Sequence, residues 1–270
     1  MMSLRDRIGF DAHGARLEDV LDTATAHGFH YLNFNADVGP NHLDSWSDER
    51  VLAVRGTCQR SNIRLTLHTL SEVNIAEFSP FVSEAVDRYL NSNIDLAQRL
   101  DCHGVVVHAG YHFNSALDER RLASQERLKR GVAYAEKTGV TLLLENLNFE
   151  PDNAEVHYLA HTVEECRVYF DAIQSDHLGW AFTPNHAHLV PEDIDGFLDA
   201  FGVKRIGEVR LADNLGDREV HLRPGDGNID FAAMFHRLES SGYEGYYTMA
   251  FGSLEDKLAA RETFAGYAAR

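Results

Sequence analysis

Three short apolar segments between residues 63 and 145 each end in a side chain that can bind a metal ion. The segment IRLTLH ends in His68, GVVVH ends in His108, and TLLLE ends in Glu145. Two imidazoles and a carboxylate are a common ligand set for Zn²⁺ or Mn²⁺. If the three segments converge, they predict a site for a divalent metal ion (Zn, Mn or Mg). Any one of these histidines, taken singly, is better explained as a hydrogen-bonded structural residue.

A second group of candidate ligands lies in the second half of the chain. The segment TPNHAHL carries His186 and His188, and the segment ADNLGDREVHLRPGDGNIDF carries Glu219 and His221. Residues two apart in an extended chain point the same way, so Glu219 and His221 can bind one ion, and His186 can complete the set. The alternative is a polar surface loop, in which Asp230 caps the helix that follows.

These residues need a scaffold that brings distant segments together, and the chain alternates short apolar runs with amphipathic segments throughout. The run before Glu145 is continuous and apolar, which is typical of a strand buried on both faces of a parallel sheet. The predicted strands are residues 8–11, 31–34, 63–68, 104–108, 141–145, 179–183, 205–211 and 246–250. The predicted helices are residues 17–28, 45–62, 80–100, 124–139, 163–173, 191–202, 231–242 and 254–269.

Eight strand and helix pairs in 270 residues predict an α/β fold, a (β/α)8 TIM barrel that spans residues 1–270 as a single domain. A doubly wound open sheet is the alternative, but no GxGxxG follows the first strand and no P-loop motif occurs. In a barrel the carboxyl ends of the strands meet at one pocket. Both groups of candidate ligands are therefore expected at that pocket.

The charge of the chain argues against a nucleic-acid partner. Asp and Glu outnumber Lys and Arg by 42 to 25, which gives a net charge of −17, and the bases form no cluster along the sequence. A surface this negative repels a phosphate backbone. Only four of the bases are lysine. This balance suggests a halophilic source, with an ordinary acidic enzyme as the alternative.

The sequence also predicts a soluble, cytoplasmic protein without membrane contact. No run of eighteen apolar residues occurs, and the N-terminal segment MMSLRDRIGF lacks the apolar core of a signal peptide. The three cysteines, Cys58, Cys102 and Cys166, are scattered and show no CxxC spacing. They are interpreted as free thiols, which fits a reducing compartment.

The segments GVVVHAG, TLLLENLN, NHAHL and ADNLGDREVHLRPGDGNIDF resemble the xylose isomerase-like TIM barrel superfamily. This group includes sugar and sugar-phosphate isomerases and epimerases, and the endonuclease IV proteins of AP endonuclease family 2. The resemblance covers nearly the whole chain, and residues 213–231 are its most specific part. It implies a TIM barrel enzyme, and it implies the superfamily more closely than any one substrate.

Isomerases of this superfamily hold one divalent metal ion with Glu, Asp, His and Glu on strands five to eight, and the resemblance matches only the first of these, Glu145. Thr183, Arg210 and Ala250 stand at the other three positions. Ala250 cannot transfer a proton, and Arg210 puts a permanent positive charge where the ion would sit. The resemblance therefore implies an atypical metal site, with Arg210 as an alternative anchor for a substrate carboxylate, phosphate or enediolate oxygen.

Endonuclease IV-like members hold three zinc ions, and the resemblance matches their two outer sites. The matching sets are His68, His108 and Glu145, and His186, Glu219 and His221, with Glu in place of Asp. The ligands of the central ion are missing. The sequence therefore resembles a three-metal scaffold without its middle ion, or an isomerase relative with changed chemistry.

The function favoured by these observations is an isomerase, epimerase or lyase that acts on a small sugar, sugar phosphate or keto acid through enediolate-type proton transfer. Glu145 is predicted as the general base, Arg210 as the anchor, and His108 as a metal ligand or acid/base partner. The alternatives are an endonuclease IV-like metal-dependent phosphodiesterase and a non-catalytic barrel that binds a ligand in the old pocket.

The predicted partners are a small-molecule substrate and further copies of the chain. Residues expected to contact the substrate are Asn146, Trp180, Thr183, Asn185 and His188. Trp46 and Tyr158, in two long loops, are expected either to stack on a ligand or to cover the core. The resemblance implies a homo-oligomer, but nothing in the sequence fixes the number of subunits.

Overall fold

The computed structural model describes residues 2–269, and ten strands run through them. Most of these strands are short and almost completely buried, as the apolar runs predict. The strands are β1 Ile8–Asp11, β2 Tyr31–Asn35, β3 Arg64–His68, β4 Val105–Val107, β5 Tyr111–His112, β6 Leu142–Glu145, β7 His157–Tyr158, β8 Leu178–Phe182, β9 Ile206–Leu211 and β10 Tyr246–Met249.

Eight of these strands close into a parallel barrel in the order β1, β10, β9, β8, β6, β4, β3, β2. The first and last strands pair in parallel, with Ile8 opposite Tyr247 and Phe10 opposite Met249. This pairing closes the barrel. The predicted (β/α)8 fold is therefore confirmed, and the alternative of an open doubly wound sheet is wrong.

Helices cover the outside of the barrel, and they match the predicted helices closely. The main difference is α5, which begins at Leu117 rather than at residue 124. Ser47 caps α3 by accepting a hydrogen bond from the Arg50 amide at 3.2 Å. The helices are α1 Leu4–Arg7, α2 Leu17–Ala26, α3 Asp48–Ser61, α4 Pro80–Leu100, α5 Leu117–Thr138, α6 Val163–Ala172, α7 Pro184–Ala187, α8 Asp193–Phe201, α9 Phe231–Ser240 and α10 Leu254–Ala265.

None of the helices in residues 2–269 is long and apolar enough to span a membrane. The cytoplasmic location and the halophilic source stay predictions of the sequence.

The small strands β5 and β7 form a separate antiparallel ladder outside the barrel, with Tyr111 opposite Tyr158 and His112 opposite His157. Residues 148–162, which contain β7, are a polar loop in the sequence prediction. Strands of two residues carry too little periodicity to be recognised. The ladder joins the segments that follow β4 and β6, so it holds together two of the loops beside the barrel mouth.

Side chains of the barrel strands alternate between the helix layer and the barrel interior. In β6, Leu142 and Leu144 pack in the large core under the helices, whereas Leu143 packs inside the barrel with Val106 and Ala181. Gly207 leaves room for Leu143, because a Cβ atom at that position would lie 2.4 Å from the leucine side chain. Because of this alternation, Glu145, two residues after Leu143, points into the interior at the carboxyl end of the barrel.

One ion-pair cluster outside the barrel connects α6 to α5. Glu165 accepts a hydrogen bond from Arg121 at 2.6 Å and lies 2.9 Å from Nδ1 of His161. Burial alone would raise the pKa of Glu165, but the contacts with His161 and Arg121 outweigh burial and hold that pKa at about 2. The same contact raises the pKa of His161, although burial acts in the opposite direction.

We expect Glu165→Gln to remove an acid-dependent part of the stability. A carboxylate with a depressed folded-state pKa stabilises the fold fully above its unfolded pKa, near 4.5, and this contribution is lost as pH falls towards about 2. The free energy of unfolding, measured by urea titration, should differ between wild type and variant by about 1–3 kcal/mol at pH 6. The difference should shrink as pH falls from 4.5 to 3.

Glu164→Gln is the matched control, because this neighbouring carboxylate is exposed. It should leave the pH dependence unchanged. If the free energy of unfolding of Glu165→Gln equals that of wild type at pH 6 and falls in the same way below pH 4.5, the ion pair does not stabilise the fold.

Candidate metal centre

The first ligand set, which consists of His68, His108 and Glu145, lies at the carboxyl end of the barrel. Nε2 of His68 lies 3.1 Å and Nε2 of His108 lies 3.2 Å from Oε2 of Glu145. One ligand atom from each of the three residues lies within 4.8 Å of the other two. His68 ends β3, His108 follows β4 directly, and Glu145 ends β6, so neighbouring strands bring these residues together.

The second ligand set consists of His186, Glu219 and His221, and it also meets the 4.8 Å spacing. Oε1 of Glu219 lies 2.8 Å from Nε2 of His221 and 3.4 Å from Nε2 of His186. His186 belongs to α7, a single helical turn directly after β8, whereas Glu219 and His221 belong to the long segment between β9 and α9. The first two residues are largely buried and His221 is half-exposed.

His186 connects the two ligand sets. Its Nδ1 lies 3.7 Å from Oε1 of Glu145, while its Nε2 faces Glu219. The two sets therefore lie side by side at the barrel mouth and share one polar surface. The sequence predicts each set separately, and the structure shows that they adjoin.

The imidazoles are oriented as metal ligands are. Nδ1 faces a backbone carbonyl in three of them: His68 faces Thr69 at 2.7 Å, His186 faces Asn146 at 2.8 Å, and His221 faces Ala250 at 2.6 Å. A carbonyl oxygen can only accept, so Nδ1 carries a proton, and in the neutral form of each ring Nε2 keeps its lone pair. In each ring this lone pair points at the carboxylate of its own set. A carbonyl that fixes the tautomer in this way is usual behind a metal-bound histidine.

His108 differs from the other three histidines. Its Nδ1 is buried and has no hydrogen-bond partner among residues 2–269. Burial lowers the pKa of His108, although Glu145 acts in the opposite direction. The ring is therefore neutral at physiological pH, as a metal ligand must be.

Both carboxylates are ionised at neutral pH. Burial would raise the pKa of Glu145, but the Arg210 guanidinium, followed by His108 and His68, outweighs it and holds the pKa well below its usual range. Burial would also raise the pKa of Glu219, but the contacts with His186 and His221 outweigh burial and hold that pKa at about 2. Burial would lower the pKa of His186, but contact with Glu219 and Glu145 raises it, so an ion bound there would compete with a proton. The donor chemistry of each ligand set, imidazole nitrogen and carboxylate oxygen, fits a divalent ion such as Zn²⁺ or Mn²⁺.

The centre between strands β6 and β9 is filled by a guanidinium. Arg210 donates to Oε1 of Glu208 at 2.8 Å and to Oδ2 of Asp11 at 3.0 Å, and its Nε lies 3.5 Å from Oε1 of Glu145. All three nitrogens of the guanidinium therefore face carboxylates. Burial would lower the pKa of Arg210, but the three carboxylates raise it.

This geometry argues against the predicted role of Arg210 as an anchor for a substrate anion, because each guanidinium nitrogen already faces a carboxylate of the protein. It also leaves no place for a central metal ion. Thr183 uses its hydroxyl to donate to Oε1 of Glu145 at 2.7 Å. Ala250 contributes only its carbonyl, which accepts from His221. The residues present do not fit the central ion of the superfamily.

Glu208 is an important residue that the sequence interpretation missed. It is completely buried inside the barrel and accepts hydrogen bonds from Tyr31, Thr248 at 3.1 Å and Asn33 at 2.9 Å, besides its contact with Arg210. The sequence could have indicated this residue, because it lies two positions before Arg210 on the same strand and residues two apart in a strand share a face.

Of the predicted substrate contacts, Thr183 and Asn185 face the ligand sets. Asn185 donates to the two carboxylate oxygens of Glu219 at 3.1 and 3.3 Å. Its Oδ1 is buried and has no hydrogen-bond partner within residues 2–269. Both residues therefore hold the carboxylates in place at the mouth of the barrel.

Trp180 and Asn146 point away from the pocket, so their predicted substrate contacts are wrong. Trp180 is completely buried under α8, where it packs on Phe197 and Phe201. Oδ1 of Asn146 accepts from Trp180 at 3.0 Å and from the Thr183 amide at 2.9 Å. These contacts join the ends of β6 and β8. Both side chains therefore position the site from behind.

His188 lies outside the pocket as well, which corrects the third predicted contact. Its two ring nitrogens meet Asp193 at 2.9 Å and Asn228 at 2.7 Å. It therefore fastens the loop before α9 to the start of α8. Trp46 is also almost fully buried, with the Arg50 guanidinium over its ring, so it covers the core.

The fold and the two ligand sets define a (β/α)8 barrel with a candidate metal centre at the carboxyl ends of its strands. The family profile of the xylose isomerase-like TIM barrel matches residues 21–265. The chain belongs to this family. The resemblance noted in the sequence is thereby confirmed.

Three relatives show how broad this family is. An uncharacterised protein of Methanocaldococcus jannaschii is 27% identical over 215 residues, which cover 77% of this chain and 71% of the relative. A probable endonuclease 4 of Staphylococcus saprophyticus is 28% identical over 186 residues, 63% of this chain and 60% of its own. The 3-dehydro-D-guloside 4-epimerase of Escherichia coli is 28% identical over 133 residues, 48% of this chain and 46% of its own.

Two solved structures share the fold over nearly the whole chain. A D-tagatose 3-epimerase-like protein superposes with a TM-score of 0.85 at 23% identity and 97% coverage of both chains. The D-psicose 3-epimerase of Clostridium cellulolyticum H10, solved with D-tagatose, gives a TM-score of 0.75 at 16% identity and 97% coverage of both chains. At these identities the likeness shows a common fold.

Proposed function

We propose that this protein is a metal-dependent isomerase or epimerase that acts on a small sugar, sugar phosphate or keto acid. The observation that carries the proposal is the buried carboxylate of Glu145, which belongs to the first set of candidate metal ligands and adjoins the second at the mouth of the barrel. The epimerases among its relatives and structural neighbours support the same class of reaction.

We assign the two ligand sets to two divalent ions. His68, His108 and Glu145 would hold one ion, and His186, Glu219 and His221 would hold the other. A divalent ion, when bound, supplies a Lewis acid that polarises a carbonyl or hydroxyl oxygen and so acidifies the neighbouring C–H bond.

Glu145 is the residue we assign to proton transfer. It is ionised, because Arg210 and two histidines hold its pKa low against the effect of burial. A carboxylate with so low a pKa is a weak base, so it can remove a proton only from a carbon that has been strongly acidified. This requirement agrees with a substrate in which the C–H bond lies next to a carbonyl.

Thr183 and Asn185 orient the two carboxylates in this proposal. The hydroxyl of Thr183 holds Oε1 of Glu145, which leaves Oε2 for the histidine side of the site. Asn185 donates to Glu219 and so fixes the carboxylate of the second ligand set.

The test is proton exchange with solvent. The purified protein is incubated in D2O with Zn²⁺, Mn²⁺ or Mg²⁺ and with a panel of ketoses, ketose phosphates and keto acids, and substrate C–H signals are followed by NMR. Enzyme-dependent exchange or isomer formation with one class is expected. If no substrate exchanges with any metal, the proposal fails and a non-catalytic ligand-binding barrel becomes the better interpretation.

Metal content gives an independent prediction. We expect elemental analysis to find two divalent ions per wild-type chain after dialysis against the metal. A His68→Ala/His108→Ala variant and a His221→Ala variant should each lose one ion. His236→Ala is the matched control, since this histidine lies on α9 away from both sets. Equal metal content in all four proteins would remove the basis of the assignment.

An endonuclease IV-like phosphodiesterase is the second candidate, and the two ligand sets together with the probable endonuclease 4 relative favour it. The net charge of −17 counts against a nucleic-acid substrate. Nicking of a duplex that contains an abasic site, lost in the His221→Ala variant, would replace the isomerase proposal.

A further inference from the structure

The proposed reaction needs a second proton-transfer group if it is to invert a carbon centre. Removal of a proton from the carbon next to a carbonyl gives a planar enediolate, and inversion requires a proton to arrive on the opposite face. Glu145, at the end of β6, serves one face. Ala250, which follows β10, has no group that can transfer a proton. A second acid/base group must therefore come from another strand of the barrel.

Strand β1 lies directly opposite β6 in the barrel. Three strands separate the two on either side, β10, β9 and β8 on one and β2, β3 and β4 on the other. Asp11 is the last residue of β1, as Glu145 is the last residue of β6. The Arg210 guanidinium connects the two, with contacts of 3.0 Å to Oδ2 of Asp11 and 3.5 Å to Oε1 of Glu145. The end of β1 therefore faces Glu145 across the barrel mouth.

His13 follows β1 and lies against the carboxylate of Asp11. The His13 amide donates to Oδ1 of Asp11 at 2.6 Å, and Nδ1 of its ring lies 3.7 Å from the same oxygen. The other oxygen, Oδ2, accepts from Arg210. Asp11 therefore divides its two oxygens between His13 and the centre of the barrel. This contact places the imidazole at the mouth, on the side opposite Glu145.

The backbone at His13 adopts a conformation that its side chain does not favour. Its φ of 50° lies in the left-handed region, which is costly for a residue with a Cβ atom. A turn alone would be served better by glycine or asparagine, so the turn does not explain the imidazole. Strained residues of this kind cluster at functional sites. The side chain is 59% exposed, so a molecule in the mouth can reach it.

The charge of Asp11 suits an imidazole that donates a proton. Burial would raise the pKa of Asp11, but the Arg210 guanidinium and the neighbouring His13 lower it. Asp11 is therefore ionised at neutral pH. A carboxylate beside a histidine orients the ring and stabilises the imidazolium form that a general acid requires.

We propose that His13 is the second acid/base residue of the site and that the reaction is an epimerisation of a ketose at the carbon next to its carbonyl. This inference rests on the proposed function, because it assumes that Glu145 removes the first proton. It narrows that function, since groups on opposite sides of the pocket invert a carbon centre. A single group would instead move a proton between neighbouring carbons on one face and give an aldose.

The proton transfers balance as follows. Glu145 takes the proton from one face of the carbon, the C–H electron pair forms the C=C bond of the enediolate, and the carbonyl π pair moves to oxygen. The imidazolium of His13 then gives a proton to the opposite face, and the carbonyl re-forms. His13 is left neutral and Glu145 protonated, and exchange with water restores both.

The test separates proton removal from inversion. Wild type and His13→Asn are incubated in D2O with each ketose of the panel, D-fructose and D-tagatose first, and NMR follows loss of the C–H signal and formation of the epimer. Asparagine is chosen because it tolerates a positive φ. In His13→Asn, epimer formation should fall by about 100-fold or more, while C–H exchange by Glu145 continues at a rate close to that of wild type.

His42→Asn is the matched control. His42 lies in the loop after β2, its side chain is 63% exposed, and its Nδ1 lies 3.1 Å from Oδ1 of Asp37. It therefore has the same kind of carboxylate neighbour without the connection to Arg210. The control should exchange and epimerise as wild type does. Elemental analysis and thermal melts should give wild-type values for both variants, because neither residue belongs to a ligand set.

The possible failures are distinguishable. A wild-type protein that exchanges no substrate removes the proposed function and this inference with it. A wild-type protein that exchanges and forms an aldose but no epimer leaves the proposed function intact and overturns the inference alone. The inference also fails if His13→Asn epimerises at the wild-type rate, if it loses exchange and epimerisation in equal proportion, or if His42→Asn shows the same selective loss.

Discussion

A Glu145→Gln variant is expected to lose the metal ion of the first ligand set and to lower turnover by about 10²–10⁴-fold. Glutamine keeps the shape of the side chain but carries neither the charge nor the basicity of a carboxylate. The uncharged amide cannot replace the anionic ligand that completes the metal site with His68 and His108. Proton abstraction and metal binding therefore fail together, because one carboxylate serves both.

Two measurements separate these effects. Elemental analysis reports the ions per chain, and the solvent-exchange assay reports turnover at saturating metal. Glu155→Gln is the matched control, because it places the same amide at an exposed position in the loop after β6. A Glu145→Gln variant with full metal content and normal exchange would exclude Glu145 from both roles.

The second large effect is expected at Arg210. Arg210→Met should lower the free energy of unfolding by about 3–5 kcal/mol, because it leaves buried carboxylates without their shared cation. Glu208 is completely buried, and Asp11 is nearly so. The Arg210 guanidinium, set against burial, also holds the pKa of Asp11 and the pKa of Glu145 below their usual values.

A double variant makes this prediction specific. Glu208→Gln/Arg210→Met removes the charge of one orphaned carboxylate, so it should recover part of the stability that Arg210→Met loses. Arg218→Met serves as the control for the substitution itself, because Arg218 is exposed. Urea titration at pH 7 measures all four proteins. A single Arg210→Met variant as stable as wild type would show that the buried cluster is not held together by its charges.

The barrel could be predicted because each of its strands is a distinct apolar run followed by a helix. Glu145 and its run show this well, since the strand ends at the predicted residue. The short ladder of β5 and β7 could not be predicted, because its pairing depends on contacts between segments more than 40 residues apart. Two-residue strands have no pattern of their own.

The two ligand sets could be predicted because the carboxyl ends of the strands meet at one end of a barrel. Sequence position placed Asn146 at such an end and Trp180 within β8, but it did not show on which side of its strand each side chain lies. Side chains alternate, so Glu145 points inwards and Asn146 points to the next strand. The partners of Arg210 were hidden for another reason, since Asp11 lies 199 residues away in sequence.

The guanidinium at the centre of the barrel has a consequence for how the protein matures. Asp11, Glu145 and Glu208 converge there, and a folding chain must neutralise such a group before the strands can close around it. Arg210 supplies one positive charge that contacts all three carboxylates, and it comes with the chain itself. The barrel therefore closes around a cation that is part of its own chain, and its folding does not depend on an ion at this central position.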